Sequence, residues 1–173
     1  MRTVLCLALI LCSAGVARSQ EKPAPSSGGM AESRHCSVSD QAAMKQIAED
    51  WKDGYNQGDA RKVAALYTAD AYYLTQHFIT GIVHGRSEIQ AYVQRGVDAG
   101  YHLDSIEILA MDCSTDLSYS IARYQSTNAG QKAFGVNVVV AKRNGDKWFI
   151  VAHESAVPDA ATAIQSLGGV KTN

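Results

Sequence analysis

The stretch KWFIVAHESAVP, Lys147 to Pro158, places three chemistry-bearing side chains at the end of an apolar run. Trp148, Phe149, Ile150, Val151 and Ala152 read as a buried β-strand, and His153, Glu154 and Ser155 come next with no turn signal. An imidazole titrates near neutral pH, so beside a carboxylate it can carry a proton to or from a bound molecule. Polar groups ending a core strand need polar surroundings, which a ligand pocket or the rim of a subunit contact supplies. Side chains alternate along a strand, so His153 and Ser155 are expected on the face of Phe149 and Val151, and Glu154 on that of Trp148 and Ile150. Without a bulge, His153 and Glu154 cannot reach one pocket. The expectation is that His153 and Ser155 turn inward, with His153 as a candidate catalytic residue and Ser155 as a ligand contact.

Asp70 is the second catalytic candidate, a carboxylate just ahead of an apolar strand, where its plainer role is to cap or turn the chain. His102 and Asp104 lie two apart on one strand face, which permits an acid and base pair but more often marks an exposed strand start. Trp51, Tyr55, Tyr72, Leu74, Tyr92 and Tyr124 are the expected ligand-binding wall, the four tyrosines giving aromatic bodies with hydroxyl tips, against the plainer reading of core edges. Arg123 sits in mid-strand; the solvent side is expected, and an inward Arg123 would instead select an acidic ligand. No metal or other cofactor is expected. His153-Glu154 lacks the second histidine of a zinc protease helix, the other histidines have no ligand-like spacing, and neither a phosphate-binding glycine loop nor a nucleophile elbow occurs.

These candidates need elements to hold them. Ser37 with Asp40 reads as a helix start, and Met44, Ile47, Ala48, Trp51 and Tyr55 then form one apolar helical face. Gly58 stops this helix, and Asp59 caps a shorter one whose inner face is Val63, Leu66 and Tyr67. Ala71 to Thr75 reads as a strand and Phe78 to Val83 as a short extended piece. Ser87 with Gln90 makes a capping box for a third helix carrying Ile89, Tyr92, Val93 and Val97, closed by Gly96 or Gly100. Four long strands complete the chain, His102 to Cys113, Leu117 to Thr127, Lys132 to Arg143 and Lys147 to Ser155, with Asn144-Gly145-Asp146 as a hairpin turn. Helices first and a meander after give an α+β fold, three N-terminal helices packed on a curved, mainly antiparallel sheet.

The first 19 residues carry Arg2, an apolar run from Val4 to Leu11 and small residues up to Ser19, the pattern of a cleaved export signal. The run is too short for a membrane span, so no membrane association is expected after cleavage. Residues 20–36 read as a flexible leader, 37–158 as one domain and 159–173 as a tail. Losing Arg2 and Arg18 with the signal leaves 14 basic against 17 acidic side chains, a net charge of −3. With no basic stripe, no nucleic-acid partner is expected. Cys6 and Cys12 leave with the signal, while Cys36 and Cys113 remain, either as a disulfide of an exported domain or as two separate thiols.

The segments WKDGYNQGDARKVAALYTADAYYL and GIVHGRSEIQAYV resemble the nuclear transport factor 2-like superfamily in its ketosteroid-isomerase-like, SnoaL-like branch. The shared features are the Gly58-Asp59 break, Leu66-Tyr67 with Asp70-Ala71, His84-Gly85-Arg86 with Ile89, and Trp148 leading to His153-Glu154-Ser155. The resemblance covers about residues 38 to 157 and is nearest to the SgcJ/EcaC-type subgroup. It implies a cone, three helices closing one side of a bent sheet, with a pocket at the open end and homodimers formed through the sheet. It does not imply one chemistry. The carboxylate base of steroid isomerases falls at Thr75, and their tyrosine donors at Trp51 and Val93, so that mechanism is not expected. Dehydratase-like relatives imply paired histidines, for which His77, His84, His102 and His153 with Asp70 or Asp104 are the candidates. Association hubs of the same superfamily share the His-x-Ser ending seen in His153 and Ser155. The expectation is therefore an exported, dimeric protein that takes a small, largely apolar ligand, with the question of whether it also transforms that ligand, by isomerase- or dehydratase-type proton transfer, left open. The alternative is an association module whose sheet face carries the function.

Overall fold

The computed structural model describes residues 36–157. The segments read as an export signal and leader, up to residue 35, and the chain from 158 onward lie outside the described residues. Helix α1 (Val38–Asn56) starts at Ser37, whose hydroxyl accepts from the Asp40 backbone N–H at 3.1 Å. Met44, Ile47, Trp51 and Tyr55 form its buried stripe. Gly58, at φ 74°, reverses the chain as only glycine does cheaply, and Asp59 caps α2 (Ala60–Ala64) through the Lys62 N–H.

Tyr67 departs from the expected helical face. It opens strand β1 (Tyr67–Thr75), because α2 is a five-residue turn and the sheet captures the residues beyond its end. Leu66 accepts from the Ile150 N–H at 2.8 Å, and Tyr67 pairs in register with Ile150. So short a helix has little stability of its own to oppose that pairing.

Strand β2 (Ile82–His84) leads into helix α3 (Arg86–Asp98). The expected Ser87 and Gln90 capping box does not form: Gly85 is the cap residue, with no side-chain cap bond, and Ser87 lies inside the first turn. Arg86 anchors this start, its guanidinium donating through Nε to the Tyr67 carbonyl at 3.0 Å. Strands β3 (His102–Cys113), β4 (Leu117–Asn128), β5 (Gln131–Asn144) and β6 (Lys147–Ala156) complete a six-stranded sheet of order β2-β1-β6-β5-β4-β3. All neighbours run antiparallel except β1 and β6. Register shifts in β3 and between β5 and β6 mark bulges, the device by which a sheet bends. The fold is α+β, with helices on the concave side of an open, curved sheet.

The start of α1 is held to the far end of the sheet. Cys36 and Cys113 form a disulfide across 77 residues. Asp40 accepts from the Arg143 guanidinium and, at 3.2 Å, from the Trp148 indole, and Arg143 lies over the Trp148 ring at 4.4 Å. The opposite face of the sheet is apolar and open. Tyr119, Ile121, Phe134, Val136 and Val138 are all exposed there, and Arg123 and Glu154 share that face.

Candidate functional site

Between the helices and the concave face lies an open cavity of about 480 Å³, of a size that takes a small organic ligand. Its polar centre comes from β6, through an irregularity in pairing. Ala141 pairs with Ile150, but the next residue, Val140, pairs with Ala152, so Val151 is an extra residue bulged from the strand. Alternation skips a beat across the bulge. Trp148 and Ile150 are buried, and so are His153 and Ser155, while Glu154 is exposed. His153 and Ser155 thus share the face of Trp148 and Ile150, not that of Phe149 and Val151 as unbroken alternation predicts. Val151 carries no local signal for this, since a valine in an apolar run looks like any other strand residue.

His153 is 4% exposed, and three aromatic rings enclose it: Tyr73 at 4.4 Å, Trp51 edge-on at 5.9 Å and Tyr67 stacked at 6.1 Å. Its Nδ1 lies 2.6 Å from the Tyr67 hydroxyl, which itself accepts from the Trp51 indole N–H at 2.9 Å. Among the described residues the Tyr67 proton has one acceptor, His153 Nδ1, so the chain of donors runs Trp51 to Tyr67 to His153. That fixes the tautomer: Nδ1 accepts and Nε2 carries the hydrogen. Burial lowers the His153 pKa to about 3, so the ring is neutral at physiological pH. Nε2 has no hydrogen-bond partner among the described residues. His153 is therefore a neutral ring with a buried, unpaired Nε2–H rather than a general base.

No carboxylate lines the cavity among the described residues. Asp70 lies within β1 and is exposed. It does not meet His153, because the irregular stretch between Tyr67 and Tyr72 turns it to solvent. Asp104 also faces solvent, its carboxylate accepting from Thr127, Gln125 and His102. The candidate histidines do not converge either. His84 stacks on Tyr72 at 4.3 Å on the exposed face, and of the described histidines only His77 and His153 border the cavity.

Trp51, Tyr55, Tyr92 and Tyr124 all line the cavity. Tyr55 stacks on Trp51 at 5.2 Å, and burial pushes its phenol pKa up to about 12. The Tyr124 hydroxyl sits 3.1 Å from Ser155 Oγ. Tyr72 and Leu74 are instead on the outer face, 48% and 38% exposed, because Ala71, Tyr73 and Thr75 take the inward phase of β1. Thr75 is buried, bonded to the Tyr92 hydroxyl at 3.1 Å. The sequence held a clue to this phase, since an inward Thr75 requires an inward Tyr73 by alternation. Tyr67, Tyr73, Arg95 and Asn137 are site residues that sequence reasoning missed.

Two glycines make room for the wall. A Cβ on Gly135 would come within 2.2 Å of the Tyr124 ring, which lies across β5 at that point, and one on Gly96 within 2.3 Å of the Tyr55 hydroxyl. At the rim, Arg95 lies over Phe78 and Tyr92, its guanidinium carbon 5.4 and 5.6 Å from the ring centres. Arg123 points away from the cavity, to solvent. No group of three or more metal-ligating side chains occurs among the described residues, and no helix among them is long and apolar enough to cross a membrane.

No family model matches the chain, and no curated protein resembles it in sequence. Solved structures do resemble it in shape. A protein of unknown function with a cystatin-like fold from Nostoc punctiforme superposes with a TM-score of 0.64 at 13% identity, covering 73% of this chain and 96% of that one. A nuclear transport factor 2-like protein with a cystatin-like fold from Novosphingobium aromaticivorans gives 0.59 at 18%, covering 74% and 88%. A ketosteroid isomerase-like protein from Erwinia carotovora atroseptica gives 0.58 at 18%, covering 67% and 94%. At these identities the likeness is one of fold, and the chain has the nuclear transport factor 2-like cone fold that ketosteroid isomerase-like proteins share.

Proposed function

We propose that this chain is an exported binding protein for a small, largely apolar molecule, of the SgcJ/EcaC-type subgroup that its sequence resembles. The observation that carries the reading is the aromatic cavity with a neutral His153 whose Nε2–H has no partner among the described residues. A buried donor without an acceptor is costly, and a ligand carbonyl or hydroxyl oxygen supplies one. Proton abstraction is poorly served, since no carboxylate among the described residues lines the cavity and His153 Nδ1 already accepts from Tyr67. Any chemistry done on the ligand uses His153 as a hydrogen-bond donor that polarises an oxygen, as a neutral imidazole can. Native mass spectrometry of the exported protein tests the binding reading. A discrete small mass is expected on the wild type and absent from Ser155→Phe, whose ring fills the cavity. An empty wild type that also takes up no apolar probe would sink it.

A second reading, an association module, draws on the apolar outer face. Ile121 and Val138 pair in register across β4 and β5, with Glu154 beside Val138 and Arg123 opposite Val136. Arg123 and Glu154 form no ion pair with any described residue. A second copy docked through this face could pair each with its opposite, so the binding and association readings are compatible in a homodimer.

A further inference from the structure

We propose that the cavity selects an apolar monocarboxylic acid, with the carboxylate held by Arg95 at the rim and the apolar body among the aromatic rings inside. This inference rests on the binding reading above and adds the chemical class of the ligand.

Arg95 borders the cavity and is exposed. It stands in the last turn of α3, where a basic side chain ordinarily serves only to offset the helix dipole. Here its guanidinium is placed over two rings, Phe78 and Tyr92, and Tyr92 is itself part of the cavity wall. Cation–π contacts of this kind hold the guanidinium in place without a carboxylate partner, so its N–H groups are left for a carboxylate to engage in a two-point contact. Among the described residues Arg95 has no carboxylate partner within ion-pair distance. Asp98, three residues on, accepts instead from Gln94.

The charge of the remaining wall agrees. Among the described residues, Arg95 is the one lining side chain with a fixed positive charge, and none that lines the cavity is acidic. An anionic head entering this mouth meets no repulsion, whereas a cationic one finds no counter-charge. Deeper in, His153 is more than nine-tenths buried with Nε2 unpartnered, a second and independent indication that the cavity is built around a ligand with an oxygen to offer. Ser155 and Tyr124 satisfy one another at 3.1 Å and compete less for that oxygen.

The test compares matched probes that differ only in the head group, dodecanoate against 1-dodecanol and 2-naphthoate against 2-naphthol. Binding is read by isothermal titration at low salt. Wild type is expected to bind each acid about tenfold more tightly than its alcohol, the size of one charge-assisted contact at an exposed site. In Arg95→Gln that preference should fall to about twofold or less, the acid losing more affinity than its alcohol, and Arg95→Lys should keep part of it. Equal affinity for acid and alcohol in wild type, or an undiminished preference in Arg95→Gln, would overturn the inference and leave the binding reading standing. Failure of all four probes to bind would overturn both.

Discussion

The Tyr67 hydroxyl and His153 Nδ1, 2.6 Å apart, join residues 86 positions distant in the chain and fix which nitrogen of the histidine bears its hydrogen. Removing that hydroxyl leaves the Trp51 N–H without an acceptor and Nδ1 without a donor. Tyr67→Phe is therefore expected to lower unfolding free energy by about 1–3 kcal/mol, the cost of unpaired buried polar groups. Urea denaturation measures the loss. Nitrogen NMR of the imidazole should show a single Nε2–H form in wild type and lose that uniformity in the variant.

Stability should also depend on pH through His153. Its folded pKa is about 3, below the 6.5 of a free imidazole, so between those values the unfolded chain binds a proton that the folded chain does not. The contribution is complete above about pH 6.5 and declines by about 1.4 kcal/mol per unit as the pH drops below it, until the carboxylates begin to titrate as well. His153→Leu should flatten the curve between pH 6 and about 4.5. An unchanged slope in that variant would show that another group carries it.

Gly135→Ala tests how the Tyr124 wall is seated. Alanine ordinarily favours a strand over glycine, but here the added methyl would meet the Tyr124 ring at 2.2 Å. Overpacking of this kind costs about 1–3 kcal/mol. The double variant Gly135→Ala with Tyr124→Ser should recover most of that loss in thermal unfolding. Additive effects would mean that the two positions do not clash.

The disulfide should matter for stability and not for the cavity. Closing a loop of 77 residues is worth about 4 kcal/mol in the chain-entropy model. Cys36→Ser with Cys113→Ser is expected to lower the urea midpoint by a corresponding amount. Neither cysteine lines the cavity, so probe affinity measured well below the transition should stay within about twofold.

If two copies meet through the outer face, Val138→Asp should separate them. The substitution sets a second carboxylate beside Glu154 in the centre of the apolar surface. Sedimentation velocity is expected to give a dimer for wild type and a monomer for the variant. A variant that remains dimeric would place the contact elsewhere.

Much of this architecture is legible in the sequence alone. The apolar spacing of α1, the Gly58-Asp59 break and the Asn144-Gly145 hairpin are local signals, and local physics decides each of them. The inward aromatic residues of α1 and α3 come from helical periodicity. The features that escape sequence reasoning are set by pairing between distant strands. Tyr67 joins the sheet because Ile150 offers it a partner, and Tyr72 and Leu74 turn outward because β1 takes its phase from a register fixed against β6. Arg95 is hidden for a different reason, since only the packed structure reveals which exposed arginine lies beside a cavity mouth.

The bulge at Val151 bears on how such a domain changes its chemistry. Everything beyond it in β6 faces where it does because of one surplus residue. Were Val151 instead drawn into regular pairing with β5, simple alternation would run on through it, swinging Glu154 into the cavity and His153 out among the exposed valines of β5. A pocket with a neutral donor would become one with a buried carboxylate, the kind of group that environment can tune into a base. In this fold, a shift of strand pairing by one residue can exchange the reactive group of the interior with no substitution at all, so diversity of function has a route through strand register as well as through replacement of side chains.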